Sequence, residues 1–575
     1  MTTSGSVGDL ATAGGGPVLP PGVVDGLFAP DLPEVEHWEQ QYPPRQLPPG
    51  ARVTRFAPSP TGYVHIGGVY VAMICKDVSN RSDGVYIARV EDTDTAREVE
   101  GALAQFARAF DYFGLHPDET DPLVEPGLPA GGGRYGPYRQ SQREAIYHSY
   151  ARQLLREGKA YVDFATKEQL ADITARQQAA KVAPGYYGGW SLWRDADADS
   201  VVAELEEGTP YVVRFRAPDL PPGARTTYRD VIRGDLEHEA NHNDVVVLKS
   251  SEQSPRLPTY HFAHAVDDHL MRVDLVIRAE EWISSVPLHL QLFDSLGFER
   301  PQYAHIAPLM KQIPGGKRKL SKRKDAEAGV DFYVEQGYPA DAVLYYLRGL
   351  ANGRLAEMPL EQALHEPINL AECGVAGPLV DLVKLEDISA DHIATLSSEQ
   401  VVAAVRTWAE RFDPQVVQAL DADPDLAVRA VSVERVGVEN PRKDLRKWSD
   451  FRGAYGFFFP SLFEPVTSAS DERFAGLGLA PEVVRGFLGE FAEGYQPLED
   501  GDAWFGQIRE LAARQGFAPS PKEFKKNPDA YPGSIREASQ LVRIALTGST
   551  RSPNLPDVAR TLGAEEVLRR LRAVS

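Results

Sequence analysis

Residues 52–94 read RVTRFAPSPTGYVHIGGVYVAMICKDVSNRSDGVYIARVEDTD. The apolar run at residues 53–57 predicts a strand, the string PSPTG at residues 58–62 a turn, and HIGGVYVAMICKDVSN at residues 65–80 a buried helix. GVYIARVEDTD, residues 84–94, supplies a second strand, so the stretch forms a β-α-β unit of the length a parallel sheet requires. A short turn between strand and helix aims backbone N–H groups and the positive helix end outward, which is where α/β sheets hold nucleotide phosphates. The turn is neither G-x-x-x-x-G-K nor G-x-G-x-x-G, which sets aside the P-loop and dinucleotide readings. His65 instead supplies a side-chain donor, and Gly67 and Gly68 allow close approach. By itself, His-x-Gly-Gly also fits an ordinary turn with a surface histidine.

A second feature stands about 250 residues downstream. In a chain with 61 basic and 82 acidic residues, and hence a net charge of −21, seven of the fourteen positions from Lys311 to Lys324 are Lys or Arg. The overall charge argues against a protein that coats nucleic acid by bulk attraction, so this local patch needs a reason. Lys319 and Lys322, three apart and beside Ser321, can neutralise charge developing on an α-phosphate under attack by a carboxylate. Taken alone, the run also fits a solvated loop or an RNA-backbone contact.

The 575 residues, 43% of them apolar and 25% charged, suit a multidomain globular chain with a large core. No stretch reaches the roughly 18 uninterrupted apolar residues of a membrane span. Cys75 and Cys373 are the only cysteines and form no C-x-x-C pattern, which excludes a disulfide framework and a cysteine zinc site. With no Lys or Arg before Arg45 to start a secretory signal, a reducing cytoplasm is the expected compartment. Residues 1–50 read as a flexible, Gly/Pro-rich extension, ordered at most near residues 38–45. The spacing of Ile146, Tyr147, Tyr150, Leu154 and Leu155 predicts a helix over residues 144–159; YVVRFR predicts a strand, and PDLPPGAR a loop within a middle insertion. Sheet pattern resumes with DVVVLKS and VDLVIRAEEW, and from about residue 331 the pattern is almost entirely helical.

RFAPSPTGYVHIGG (residues 55–68) and KLSKRKD (residues 319–325) together resemble the two nucleotide-binding signatures of class I aminoacyl-tRNA synthetases, in the form used by bacterial-type glutamyl-tRNA synthetases. RVEDTDTAREVEG (89–101), GPYRQSQR (136–143), PTYHFAHAVDDHLM (258–271) and VIRAEEWISSVPLH (276–289) are similar to further motifs of that family. NPRKDLRKW and FKKNPDAYPGSIREASQLVRIALTG resemble one subgroup of it. The likeness runs from about residue 42 to the C-terminus and is most specific over residues 52–336.

The resemblance implies an α/β Rossmann-like nucleotide-binding domain with an α+β insertion, followed by an all-α anticodon-binding region. The expected segments are a flexible extension (1–50), two catalytic halves (51–135 and 259–311) around an acceptor-end insertion (136–258), a stem-contact segment with the KLSKR loop (312–390), and the helical anticodon-binding region (391–575). It implies ATP-dependent activation of L-glutamate, usually with tRNA bound, and transfer to the 3′ end of tRNA(Glu). Family positions assign Arg55 and Arg278 to the carboxylates of glutamate, Glu91 and Ser59 to its amino end, and Tyr260 to a wall and hydroxyl donor. They assign His65, Gly67 and Gly68 to the phosphates of ATP, Glu280 and Trp282 to the nucleoside, and Lys319 and Lys322 to a mobile clamp. His65, Lys319 and Lys322 are the expected catalytic residues, and Mg²⁺ accompanies ATP.

Glu91, Asp92 and Asp94 alternatively read as a solvated strand end or metal ligands, and Trp282 as core. Arg442, Lys443, Arg446 and Lys447 read either as a solvated helix face or as tRNA-backbone contacts. Many relatives hold structural zinc through cysteines in the insertion; YVDFAT (161–166) and YYGGW (186–190) have none, so no zinc is expected. His264 stands where many relatives carry Asn, and its role is unassigned. A monomer, away from any membrane, is expected.

Overall fold

The computed structural model describes residues 17–574 apart from 61, 63, 95–98, 126–131 and 222. Parts of the motifs read above, at residues 61, 63 and 95–98, and the first sixteen residues of the extension therefore lie outside the described residues. The chain divides into two compact units, one running to Phe332 and including Leu344–Val380, the other comprising Tyr333–Val343 and the chain from Asp381 onward. The segment expected at residues 312–390 is thus shared between them.

In the first unit the strands are β1 (Val53–Phe56), β2 (Val85–Ala88), β3 (Glu119–Thr120), β4 (Ala160–Asp163), β5 (Val212–Phe215), β6 (Arg225–Asp230), β7 (Gly234–Glu239), β8 (Val246–Leu248), β9 (Leu275–Ala279), β10 (Gln302–Ile306), β11 (Met310–Ile313) and β12 (Gly316–Lys319). A seven-stranded sheet has the order β3-β2-β1-β9-β10-β6-β7, parallel except for the β6–β7 hairpin. Every residue of β1 is buried, as a parallel strand covered on both faces must be. The quoted stretch forms β1, then helix α3 (Ile66–Arg81) after α1 (Pro21–Gly26) and α2 (Val35–Gln41), then β2. Gly84 opens β2 because a Cβ there would stand 1.9 Å from the Arg52 carbonyl oxygen.

The insertion carries a separate antiparallel sheet, β4-β5-β8. It also supplies β6 and β7 to the main sheet, a contribution the sequence analysis did not foresee. The polar string RTTYRD of β6 has no apolar alternation to announce it; its strand character comes from the antiparallel hairpin with β7, and its place in the main sheet from the Tyr303–Asp230 pairing with β10.

Within the extension, Pro21–Gly26 and Val35–Gln41 form helices. Val24, Phe28, Leu32 and Tyr42 enter the main core, and the Trp38 indole N–H donates to Ser149 Oγ at 2.9 Å. Four well-spaced apolar anchors suffice to seat a segment whose average composition is that of a tail. Glu39 on α2 accepts from Tyr150 Oη at 2.8 Å and pairs with His269 at 2.7 Å and Arg272 at 2.8 Å. Burial opposes its ionisation, but hydrogen bonds from His269, Arg272 and Tyr150 outweigh it and hold the carboxyl at about 2. A carboxyl lowered on folding stabilises above its unfolded pKa, and that stabilisation is lost as pH falls from about 4.5 towards 2. Glu39→Gln is therefore expected to cost about 1 kcal/mol near neutral pH, a value discounted for its partial exposure. In thermal melts the gap between wild type and variant should close as pH falls below about 4.5.

The second unit is helical throughout, with one core around Val401, Val405, Phe451 and Tyr455 and another around Phe487, Trp504, Leu541 and Val567. No described helix is long and apolar enough to cross a membrane.

Candidate active site

At the carboxyl ends of β1 and β9, where the strand order changes direction, a cavity of about 450 Å³ opens. Arg55, Ser59, Glu91, Tyr260, Arg278 and Trp282 all line it, so five side chains assigned to glutamate share one space with a nucleoside-assigned tryptophan. The Tyr260 and Trp282 rings stand 4.4 Å apart, which makes Trp282 a cavity wall rather than interior core.

Buried ion pairs fix the charges. Asp268, fully buried on the helix Tyr260–Leu270, takes the Arg55 Nε–H at 3.1 Å and also pairs with Arg89. Burial alone would raise the Asp268 carboxyl, but Arg55 and Arg89 hold it well below the usual carboxylate range. Arg89 continues to Glu91 at 3.0 Å, and burial raises the Glu91 carboxyl against the pull of Arg89 and Arg55. His264 is fully buried behind Arg55, with Nδ1 2.9 Å from Asp268 and Nε2 3.2 Å from Tyr303 Oη, so the unassigned histidine braces the arginine's partner. Asp268 and Arg89 escaped the sequence analysis. The signal was present for Asp268, since Tyr260, His264 and Asp268 recur every four residues and share one helix face.

Arg278 enters from β9. Its Nε–H donates to His305 Nε2 at 3.1 Å, Nη2 reaches the Trp282 carbonyl at 3.4 Å and His289 Nδ1 at 3.3 Å, and the guanidinium lies 4.9 Å from the Tyr303 ring centroid. Nη1 is buried and has no protein partner.

His65 caps α3, with Nδ1 accepting from the Gly67 N–H at 2.8 Å. A capping Nδ1 must be unprotonated, which leaves the proton on Nε2. Desolvation, then the charges of Lys322 and Lys319, depress the imidazole to about 4, so it is neutral at pH 7. The two motifs, far apart in sequence, therefore meet, and Gly329, just past KLSKRKD, bridges to the His65 backbone. Lys319 pairs with Glu281, and Lys322 is exposed. The loop expected as a mobile clamp is the β11–β12 hairpin and the turn after it, tied down by Asp325. That buried carboxylate takes two bonds from Arg318, at 2.6 and 2.7 Å, and the Ser321 N–H at 3.0 Å.

Other assigned residues fall differently. A Cβ on Gly68 would meet the Phe56 ring at 3.3 Å, so the small size of this residue serves helix-to-strand packing. A Cβ on Gly67 would stand 3.0 Å from His65 Nδ1. Gly67→Ala is accordingly expected to displace the imidazole and slow activation about ten-fold with an unchanged melting temperature, measured by pyrophosphate exchange and thermal melts. Glu280 lies outside the cavity lining and pairs with Arg233. Asp92 accepts from Ser141 N at 2.8 Å and Oγ at 2.6 Å and so acts as a structural joint, while Glu91, Thr93 and Asp94 of the same string line the cavity.

Arg442, Lys443, Arg446 and Lys447 lie on no helix: Pro441 and the left-handed Gly437 (φ +73°) break the chain there. Arg442 pairs with Asp444 and Glu434, Lys443 with Asp391, and Arg446 with Glu386, while Lys447 Nζ lies 5.7 Å from the Tyr338 ring. In the insertion, the cysteine-free segments are joined by Tyr186 Oη donating to Asp163 at 2.7 Å, and Tyr161 Oη donates to Asp244 at 2.9 Å.

A model of tRNA synthetases class I (E and Q), catalytic domain, matches residues 52–367. The chain belongs to this family of class I tRNA synthetases. An anticodon binding domain model matches residues 534–575, so the helical half of this synthetase carries the anticodon-binding region expected of it. The chain is 41% identical over 554 residues to a glutamate–tRNA ligase of Clostridium beijerinckii, covering 95% of this chain and 98% of that protein. It is 38% identical over 562 residues to one from Sorangium cellulosum, covering 93% and 97%. The crystal structure of a glutamate tRNA ligase from Elizabethkingia meningosepticum in complex with its amino acid is similar with a TM-score of 0.71 at 27% identity, covering 91% of this chain and 98% of that one. The α/β catalytic domain with its insertion, followed by a helical anticodon-binding region, is the architecture these synthetases share.

Proposed function

We propose that this class I synthetase is a glutamate–tRNA ligase: it activates L-glutamate with ATP to glutamyl-adenylate, releases pyrophosphate, and transfers the acyl group to the 3′-terminal adenosine of tRNA(Glu). The observation that carries the reading is the single cavity in which two arginines, a glutamate, a serine and a tyrosine converge. Arg55 and Arg278 set guanidinium charges against two carboxylates, and Glu91 with Ser59 receives the ammonium. Unpaired buried partners make such a site selective.

The attacking group is already a carboxylate, so activation needs no general base; alignment and charge stabilisation lower the barrier. His65 stands at the amino end of α3, and Lys319 and Lys322 offset charge that develops on the α-phosphate. Mg²⁺ enters with ATP, held by phosphates and water.

In this reading activation waits for tRNA, the insertion (136–258) meets the acceptor end, the segment 312–390 the stem, and the helices from 391 the anticodon. The enzyme works as a monomer in the cytoplasm, in keeping with two buried free thiols. It carries no zinc, and elemental analysis giving about one zinc per chain would contradict that. The direct test is charging of bulk bacterial tRNA with labelled glutamate or glutamine. Label transferred from glutamate supports the reading, and transfer from glutamine alone overturns it.

A further inference from the structure

We infer that Asp230 and His305 form a positioning relay that aims Arg278, and that this relay makes the cavity prefer a side-chain carboxylate over a carboxamide. The inference rests on the proposed reading of the cavity as a glutamate site.

Asp230 ends β6, the polar strand that the insertion adds to the main sheet, and is fully buried. Its Oδ1 accepts the backbone N–H groups of Ile232 and Arg233 at 3.0 Å each, and its Oδ2 lies 2.6 Å from His305 Nδ1 and takes the His305 backbone N–H at 3.2 Å. Burial opposes its charge, but the bonds from His305 and these backbone groups outweigh it, so the carboxyl stays ionised. An ionised acceptor against Nδ1 places the His305 proton on Nδ1, and burial keeps the ring neutral. His305 Nε2 is then a lone pair, and it accepts the Arg278 Nε–H.

A second line ends on the same guanidinium. His289 Nδ1 faces Arg278 Nη2, so the His289 proton sits on Nε2 and points at His261 Nδ1, 2.9 Å away. Burial holds both rings neutral, His289 far below the usual imidazole range and His261 at about 4. With the Trp282 carbonyl, these acceptors engage Nε and Nη2 from two sides and leave Nη1 alone without a protein partner. Arg278 lines the cavity, and Nη1 is the one nitrogen of its guanidinium without a protein partner.

The consequence is selectivity. A carboxylate presents only acceptors to the guanidinium. A carboxamide also brings an N–H₂ group, and the acceptors nearest Arg278, His305 Nε2 and His289 Nδ1, are already committed to the guanidinium.

Asp230→Asn is nearly isosteric, yet its amide N–H₂ can donate to Nδ1 and drive the His305 proton to Nε2, against the Arg278 Nε–H. His305→Leu removes the acceptor, and His305→Gln restores one through its side-chain carbonyl. The test is steady-state pyrophosphate exchange by the full chain, with tRNA present and glutamate, glutamine and ATP varied in turn. Asp230→Asn and His305→Leu are expected to raise the KM for glutamate about ten- to a hundred-fold and lower the glutamate-to-glutamine preference about ten-fold or more, with the KM for ATP within about two-fold. His305→Gln should recover most of the glutamate KM. Unchanged glutamate KM and preference in folded Asp230→Asn and His305→Leu, or a loss confined to kcat for every substrate, would overturn the relay. Wild-type enzyme that shows no glutamate-dependent exchange would instead overturn the reading on which it rests.

Discussion

Arg278→Ala is expected to lower kcat/KM for glutamate by about three orders of magnitude, because it leaves a substrate carboxylate in a desolvated cavity without its counter-charge. Removing one partner of a buried ion pair costs about 3–5 kcal/mol, and every 1.4 kcal/mol is about ten-fold. The loss should appear in the glutamate dependence and not in that of ATP, since Arg278 bonds to His305, His289 and Trp282 and, among the described residues, makes no hydrogen bond or ion pair with the β11–β12 hairpin. Arg278→Lys keeps the charge but lacks the planar fork that places one donor on His305 and two on the opposite side, so it should regain no more than about ten-fold. Steady-state pyrophosphate exchange, with a thermal melt to confirm folding, decides the point. A loss below about ten-fold in Arg278→Ala would show that the carboxylates are held elsewhere.

Lys322→Ala is expected to slow activation by about two orders of magnitude or more, with little change in tRNA binding. Its ammonium is close enough to His65 to depress that imidazole, yet among the described residues it makes no ion pair, so its charge is available to a phosphate. Lys319, by contrast, is engaged by Glu281 and must exchange that partner before it can serve. Single-turnover measurement of adenylate formation, beside a tRNA-binding titration, separates the two effects. Unchanged activation would remove KLSKR from the chemistry, and a matching loss of tRNA affinity would reassign the lysine to RNA contact.

The β1–α3–β2 unit was readable because buried parallel strands and a buried helix write continuous apolar runs, broken only by turn residues. The cavity was readable through a resemblance that placed Arg55, Glu91, Tyr260 and Arg278 at motif positions. What stayed hidden depends on partners distant in sequence. Asp268 joins Arg55 across 213 residues, and Asp230 joins His305 across 75, and neither spacing leaves a local pattern. β6 was missed for the same reason, since a polar strand owes its place to the edge it pairs with. The extension was misread because average composition conceals four anchoring side chains. The basic run at residues 442–447 read as a solvated helix face or as tRNA-backbone contacts, and the fold instead gives it no helix and sets Lys443 and Arg446 against Asp391 and Glu386, more than fifty residues away in sequence.

The most direct test of the account is ATP–pyrophosphate exchange by the purified chain, run with glutamate or glutamine, each with and without bulk tRNA. Exchange with glutamate and tRNA together, and with no other combination, is the predicted result. Folded protein that binds tRNA but exchanges under none of the four conditions would contradict the assignment of the cavity and of KLSKR to glutamate activation.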